Sequence, residues 1–263
     1  MVSQFKVKIT IFIMNPDKNY DRREVLTELL KKTPFQFQFM SINDDIDLAP
    51  GAIAKSHDIK KTIDSLGRDL TKGELASTLN HLLCYRKFLE SENDIAIILE
   101  DDADFIVEKF NCLVSLLVNI INESKPQVYL LTPVISYLNN NSQRLSADYK
   151  VVEVVQSLDS SGYILNREAA KNMIIANSKA WFIADEWVKY RRHANVNIFS
   201  VIPPIIIQNI GVFGSNLENS RAKAVKSRTL KYVLLRLGYK FVADVKKYFW
   251  LIPFKGYIRN KGV

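Results

Sequence analysis

The chain has 263 residues, enough for one generous α/β core or a core with a small appendage. A hydrophobic share of 48% with only 9 Gly and 8 Pro excludes a largely disordered chain, and two cysteines exclude a disulfide framework or a zinc pattern. The net charge of +8 is split: residues 1–220 carry 24 Lys+Arg against 27 Asp+Glu, whereas residues 221–263 carry 12 against a single acid, Asp244.

Residues 5–14 are apolar apart from Lys6, Lys8 and Thr10 and lead straight into Asn15-Pro16-Asp17. That run is too short for a secretory signal, so 6–14 reads as a buried first strand. No stretch reaches the roughly 18 apolar residues of a membrane span. The expectation is an intracellular, non-spanning protein. Residues 21–32 read as a helix with an acidic start and a basic end. Phe35-Gln36-Phe37-Gln38-Phe39 alternates with period two, a strand with one buried face. Strand, helix, strand in that order predicts parallel pairing in an α/β sheet.

Residues 43–69 predict a loop-rich excursion with one short helix. Residues 71–90 predict a strong helix, with Leu75, Leu79, Leu82 and Leu89 on one stripe and Glu74, Ser77 and His81 on a face about 120° away. The run 95–99 is continuously apolar, as for a central strand buried on both faces. A helix at 107–122 and strands at 128–132, 151–155 and 162–165 follow. Helices at 167–177 and 185–193 and a strand at 196–201 complete the body, before Pro203-Pro204 opens an irregular apolar segment. Cys84 and Cys112 both sit in helical, apolar stretches and read as buried and inert.

Glu100-Asp101-Asp102-Ala103-Asp104 puts four carboxylates where the central strand leaves the sheet. In open α/β sheets ligands bind at the carboxyl ends of strands. Like charges so close repel and call for a cation in water-poor surroundings. Hard oxygen ligands select Mg²⁺ or Mn²⁺, which commonly bridge a carboxylate to substrate phosphates. These residues leave sugar transfer, nucleotidyl transfer and phosphate hydrolysis open. The other reading of Asp104 is a cap on the next helix.

The motifs resemble those of family 25 glycosyltransferases, bacterial lipopolysaccharide and lipooligosaccharide transferases. Leu99-Glu100-Asp101-Asp102-Ala103 matches that family's LEDDA motif unchanged. Ile13-Met14-Asn15-Pro16-Asp17 with Arg22 and Arg23 is similar to its INLD opening. Residues 73–81, Gly-Glu-Leu-Ala-Ser-Thr-Leu-Asn-His, are similar to its GExGCxxSH helix, with Ala76 and Ser77 replacing Gly-Cys and Asn80 replacing Ser. Gly162-Tyr163-Ile164-Leu165 with Ala169, and Pro203, Pro204, Gln208 and Ser215, are similar to its later segments. The resemblance implies a GT-A-type fold: a single Rossmann-like mixed sheet flanked by helices.

It also implies transfer of galactose, or next glucose, from a UDP-sugar to a lipooligosaccharide or lipopolysaccharide acceptor, with inversion. Mn²⁺ or Mg²⁺ would sit on Asp102 and Asp101, with Glu100 and Asp101 also at the ribose or metal-bound water. Asn15, Asp17 and Arg22 would contact the nucleotide, and Glu74 and His81 the diphosphate side. Asp185, with Glu186 next, would take the proton of the acceptor hydroxyl; as ordinary structure, Asp185 would cap a helix. Trp181, Phe182 and Trp187 offer an apolar platform for a sugar or plain packing, and Gln208 and Ser215 stand on the acceptor side.

The basic tail, 221–263, mixes Phe241, Val242, Val245, Tyr248, Phe249, Trp250, Leu251 and Ile252 with Lys240, Lys246 and Lys247. It predicts a basic amphipathic helix at an anionic membrane surface, placing the protein at the cytoplasmic face of the inner membrane. Nucleic acid is excluded as a partner, because the body is acidic and carries no nucleic-acid motif. The competing readings are another metal-dependent enzyme of nucleotide substrates, such as a nucleotidyltransferase, and a non-catalytic carbohydrate- or membrane-binding protein on the same fold.

Overall fold

Strands built of alternating side chains need a layer on each face, and both layers come from helices that follow strands in the chain. The computed structural model describes residues 7–15, 20–42, 49–208, 237, 240–242 and 244–260. The body opens with β1 (Ile9–Met14), α1 (Tyr20–Leu30) and β2 (Gln36–Met40), then α2 (Pro50–Ser56), α3 (Ile59–Leu66) and the long α4 (Lys72–Glu90). Next come β3 (Ile95–Glu100), β4 (Ala103–Asp104), α5 (Val107–Val118), β5 (Gln127–Leu130), β6 (Ser136–Arg144) and β7 (Lys150–Gln156). The described elements close with β8 (Gly162–Asn166), α6 (Arg167–Ala176), α7 (Trp187–His193), β9 (Asn197–Ile202), β10 (Ile207–Gln208), a π-helical turn Lys247–Leu251, α8 (Ile252–Lys255) and β11 (Tyr257–Arg259).

Nine strands form one mixed sheet in the order β11-β6-β7-β9-β5-β8-β3-β1-β2. β1 pairs parallel with β2 and with β3, as the strand–helix–strand pattern predicts. β8 runs antiparallel between β3 and β5, and β5 is parallel to β9. The carboxyl ends of β1, β2, β3, β5 and β9 therefore share one edge of the sheet.

The period-two geometry of strands explains why β3 reads as one continuous apolar run. Ile95, Ile97 and Leu99 join Ile11 and Ile13 on one face, under Leu26 and Leu30 of α1 and Phe110, Leu113, Val114 and Leu117 of α5. Ala96 and Ile98 join Phe12 and Met14 on the other, under α4, α6 and α7. With both faces covered, no position on the strand is left for a polar residue until Glu100.

The long helix starts as its sequence prescribes. Thr71 is the N-cap and forms a reciprocal capping box with Glu74. Its C-terminal carbonyls are gathered by one side chain: the Arg167 guanidinium donates to Phe88 O, Leu89 O, Ser91 O and Asn93 O at 2.7–3.2 Å.

Several expectations change. The excursion before α4 holds two short helices, α2 and α3, in its described part. β6, with the sequence SYLNNNSQR, shows no apolar alternation because half of it is exposed. The two-residue pair β4 and β10 and the strand β11 were likewise unforeseen. β11 lies within the stretch read as a tail, yet it joins the main sheet beside β6. Cys84 is buried but Cys112 is exposed, because Cys112 faces out on α5 opposite the stripe of Phe110, Leu113 and Leu117. Asp104 does not cap α5, whose N-cap is Ile106 with no side-chain bond. Residues 209–236, which include Ser215 and the first basic part of the tail, lie outside the described residues, as does Asp17.

Candidate functional site

The carboxyl end of β3 carries Glu100 out of the sheet, and the turn at 101–102 places the two aspartates beside the end of β1. The turn is held from both sides. Glu100 N donates to Ser161 O at 2.9 Å, and beyond the aspartates Ala103 and Asp104 pair with Gln208 and Ile207.

Asp101 is pinned by the β1–α1 region. Asn15, 1% exposed, donates through Nδ2 to Asp101 Oδ2 at 3.1 Å, and Arg22 donates to Asp101 Oδ1 at 2.8 Å. The Arg22–Asp101 pair is nearly sealed, at 11% and 9% side-chain exposure. Such a charge-assisted contact fixes geometry as well as charge. Three residues expected at the nucleotide side are thus brought together.

Glu100 is set from the opposite side. Ser160 Oγ donates to Glu100 Oε1 at 2.7 Å, and His81 Nε2 stands 3.6 Å from the same oxygen. His81 is fully buried, with Nδ1 2.7 Å from the Tyr163 hydroxyl, which lies 2.5 Å from the Tyr85 hydroxyl. Burial pushes both tyrosines well above their ordinary range, so the chain of hydroxyls stays neutral. His81 Nε2 has no hydrogen-bond partner among the described residues and points toward the acids.

Asp102 differs from its neighbours. Its Oδ1 is buried and has no hydrogen-bond partner among the described residues. Burial first, then Glu100 and Asp101, push its carboxyl up to about 7, with Arg22 opposing. An anionic Asp102 at this position needs positive charge that the protein does not fully supply. That is the donor chemistry of a hard divalent cation. Among the described residues no three His, Cys, Asp or Glu side chains converge on a metal position. Asp101, expected to share the ion, has one oxygen on Asn15 and the other on Arg22.

The other expected residues lie at varied distances from this cluster. Glu74 is fully buried; Arg68 grips both its oxygens at 2.8 Å and the Thr71 amide donates to Oε2. It shares a helix face with His81 but precedes it by seven residues, roughly 10 Å along the axis at about 1.5 Å per residue. These bonds close the start of α4. Asp185 lies in the turn before α7, which begins at Trp187 rather than at 185 and has Glu186 as its N-cap, without a side-chain cap bond from Glu186. Trp187 is fully buried, stacked edge-on with Tyr163 at 5.0 Å. Its ring packs in the core and presents no face to a sugar. Phe182 is likewise fully buried, and Trp181 is 5% exposed. Gln208 is exposed on β10 opposite Ala103, one residue from Asp102.

The loop at 157–161 carries the residues that sequence reasoning missed. Besides Ser160 on Glu100, Asp159 Oδ1 accepts from the Ser161 amide and hydroxyl at 2.8 and 2.6 Å. Burial raises the Asp159 carboxyl above its usual range. Trp187 Nε1 donates to Asp159 O at 2.8 Å, which ties the start of α7, and with it Asp185 and Glu186, to the loop that touches Glu100. The available signal was Asp-Ser-Ser-Gly directly before an apolar strand; without the β3–β8 pairing it reads as an ordinary turn.

Gly162 also finds its reason here. A Cβ at Gly162 would run into the side chain of Ile206, which is fully buried just ahead of β10. The missing side chain lets the segment after Pro203-Pro204 cross close over β8 and reach β4 beside the acids.

The fold and this geometry can be set beside known proteins. No curated protein matches the chain. Among solved structures, a glycosyltransferase involved in glycosylation of the major capsid of PBCV-1 aligns at 11% identity and TM-score 0.32, covering 73% of this chain and 92% of that one. A CMP:2-keto-3-deoxy-manno-octonic acid synthetase aligns at 13% identity and TM-score 0.42, covering 83% and 99%. The inositol-1-phosphate CTP transferase from T. maritima aligns at 13% identity and TM-score 0.41, covering 85% and 97%. The family model described as glycosyltransferase family 25 (LPS biosynthesis protein) matches residues 8–188, from β1 through the start of α7. That match spans well over half of the 263 residues and includes the acids, His81 and the 157–161 loop, so the chain belongs to glycosyltransferase family 25.

Proposed function

We propose that the protein transfers a hexose, galactose before glucose, from a UDP-sugar to the sugar of a lipooligosaccharide or lipopolysaccharide acceptor, with inversion. The observation that carries this reading is the buried, unpartnered oxygen of Asp102 beside an Asp101 already locked by Asn15 and Arg22. A cluster built that way holds one carboxylate open for a cation while its neighbour holds the frame.

Mn²⁺ or Mg²⁺ on Asp102 would supply Lewis-acid neutralisation of the leaving diphosphate. Asn15, Arg22 and Asp101 form a rigid wall at the end of β1 for the nucleotide. His81 and Ser160 orient Glu100 toward the donor. Asp185, with Glu186 next, accepts the proton of the acceptor hydroxyl as its oxygen bonds to the anomeric carbon and the bond to the diphosphate breaks. The link from Trp187 to Asp159 keeps that carboxylate pair in register with the acids. No residue needs to form a covalent intermediate, so catalysis rests on positioning and charge.

Calorimetric titration of UDP with and without Mn²⁺, on wild type and Asp102→Asn, tests the reading. Metal-dependent UDP binding that weakens about 100-fold or more in the variant is the expected result. Equal UDP binding with and without metal would remove the role given to Asp102. Tighter binding of a nucleoside triphosphate than of UDP or UDP-hexose would move the function to nucleotidyl transfer.

A further inference from the structure

Between the body and β11 lies a helical stretch whose apolar side is turned outward. Residues 240–242 and 244–246 are helical and run into the π-helical turn and α8. Phe241, Val242, Val245, Tyr248, Phe249 and Ile252 recur at the spacings of one helix face. Their exposures are 70%, 64%, 41%, 62%, 76% and 44%. Asp244 and Lys247, in contrast, are half-buried, and Lys247 Nζ sits 5.2 and 5.0 Å from the ring centres of Tyr248 and Tyr257. An ordinary surface helix buries such a stripe and exposes its charges. A contiguous exposed apolar face marks an interaction site.

The stretch is fixed to the body. Gly256 adopts φ 60°, where a side chain would run into Asn140, and its carbonyl accepts from Asn139 N at 2.9 Å. β11 then pairs antiparallel with β6, Tyr257 with Leu138 and Arg259 with Ser136. The helical stretch thus joins from the Asn140 side, toward which β6 runs on to Arg144. That is the edge of the sheet where β3, β5 and β9 end.

Charge selects the occupant. Lys240 and Lys246 are exposed beside the stripe, and residues 221–263 hold 12 basic residues against one acid. A second copy of the same face would bring lysines against lysines, whereas anionic headgroups complement them. None of the described helices is long and apolar enough to cross a membrane. We propose that this stripe lies in the headgroup region of an anionic bilayer, with Phe241, Val245, Phe249 and Ile252 in the acyl boundary and Lys240 and Lys246 on the phosphates. β11 and β3 are six strands apart, about 30 Å at about 4.8 Å per strand, so the bilayer would lie beside the edge that carries the acids without covering them.

The test is sedimentation of the full chain with vesicles of phosphatidylcholine alone and of phosphatidylcholine with phosphatidylglycerol. Phe241→Asp/Phe249→Asp and Lys240→Glu/Lys246→Glu are run beside wild type, with thermal melting as the check on folding. Wild type should partition about 10-fold more onto the anionic vesicles, and each double variant should lose about 10-fold while melting as wild type does. The lysine pair remains informative even if the aspartates disturb the helix. Equal partitioning onto both vesicles, or unchanged partitioning of the lysine variant, overturns the proposal. A dimer by size exclusion that the aspartate variant converts to monomer, with no vesicle binding, assigns the stripe to a second copy instead. None of these readings depends on which sugar is transferred.

Discussion

Asp102 bears the electrostatic penalty of crowding three acids at one strand end. Its carboxyl is ordinarily near 3.8 and in the fold rises to about 7, chiefly through burial. The metal-free folded protein therefore holds a proton that the unfolded chain releases above about pH 4. A carboxyl with its folded value above its unfolded one contributes stability that is intact below the lower value and lost as pH rises through the higher. Metal-free Asp102→Asn should consequently be more stable than wild type at pH 8, by about 2–4 kcal/mol, with the gap nearly closed at pH 4. Urea unfolding in the presence of chelator measures this, and equal stability of the two proteins at pH 8 would contradict it. Asp102 was legible because an unbroken apolar run fixes where the chain leaves the sheet. Asn15 and Arg22 were legible through the motif around them. Asp159, Ser160 and Ser161 were not, because nothing in a run of small polar residues says which strand will lie next to it. Glu74 shows the opposite limit: angular periodicity places it correctly beside His81 around the helix, but says nothing of the two turns between them or of Arg68.

At the scale of elements, the site depends on α4 holding His81 over β8 and β3, and α4 depends on its two ends. The first end is closed by its own residues, Thr71 and Glu74, which bond reciprocally as a capping box. The other end is closed by Arg167, 74 to 79 positions away in the chain, which no local pattern announces. Two carbonyls of the last helical turn and two just beyond it converge on one guanidinium, so a lysine cannot replace it in full. Arg167→Ala should destabilise the protein by about 2–3 kcal/mol and lower its melting midpoint by roughly 4–10 °C, with Arg167→Lys recovering less than half. UDP affinity should fall far less than stability, because His81 lies two turns inside the helix. A midpoint unchanged within error would mean that water satisfies those carbonyls equally well. The helices and buried strands of the body were readable for the same reason that α4's start was: their signals are local. β6 and β11 were not, since they are recruited by pairing at an edge and their polar side chains face solvent.

Taken whole, one continuous sheet separates the acids from the last described strand, with β1, β3 and β8 near one end and β6 and β11 at the other. The last strand completes that sheet. Beyond the pairing of β11 with β6, Asn260 donates through its amide to Ile135 O at 2.9 Å and through Nδ2 to Val134 O at 2.6 Å, and Ile258 packs, partly buried, against the hydrophobic core. Ending the chain at Gly256 would strip β6 of its outer partner and leave these carbonyls to water. Such a change acts on the edge: each lost hydrogen bond is worth about 1 kcal/mol and is partly replaced by solvent, so the net loss should be about 1–3 kcal/mol. Amides of β6 that face β11, Tyr137 and Asn139, should lose protection from hydrogen exchange, whereas those of β1 and β3 should keep theirs. Metal-dependent UDP binding should be unchanged, since the acids are held by β1, α1, α4 and the 157–161 loop, none of which touches β11. A truncated protein that lost UDP binding together with β6 protection would show instead that the sheet unfolds as one unit, with the basic end required to keep the acidic end in place.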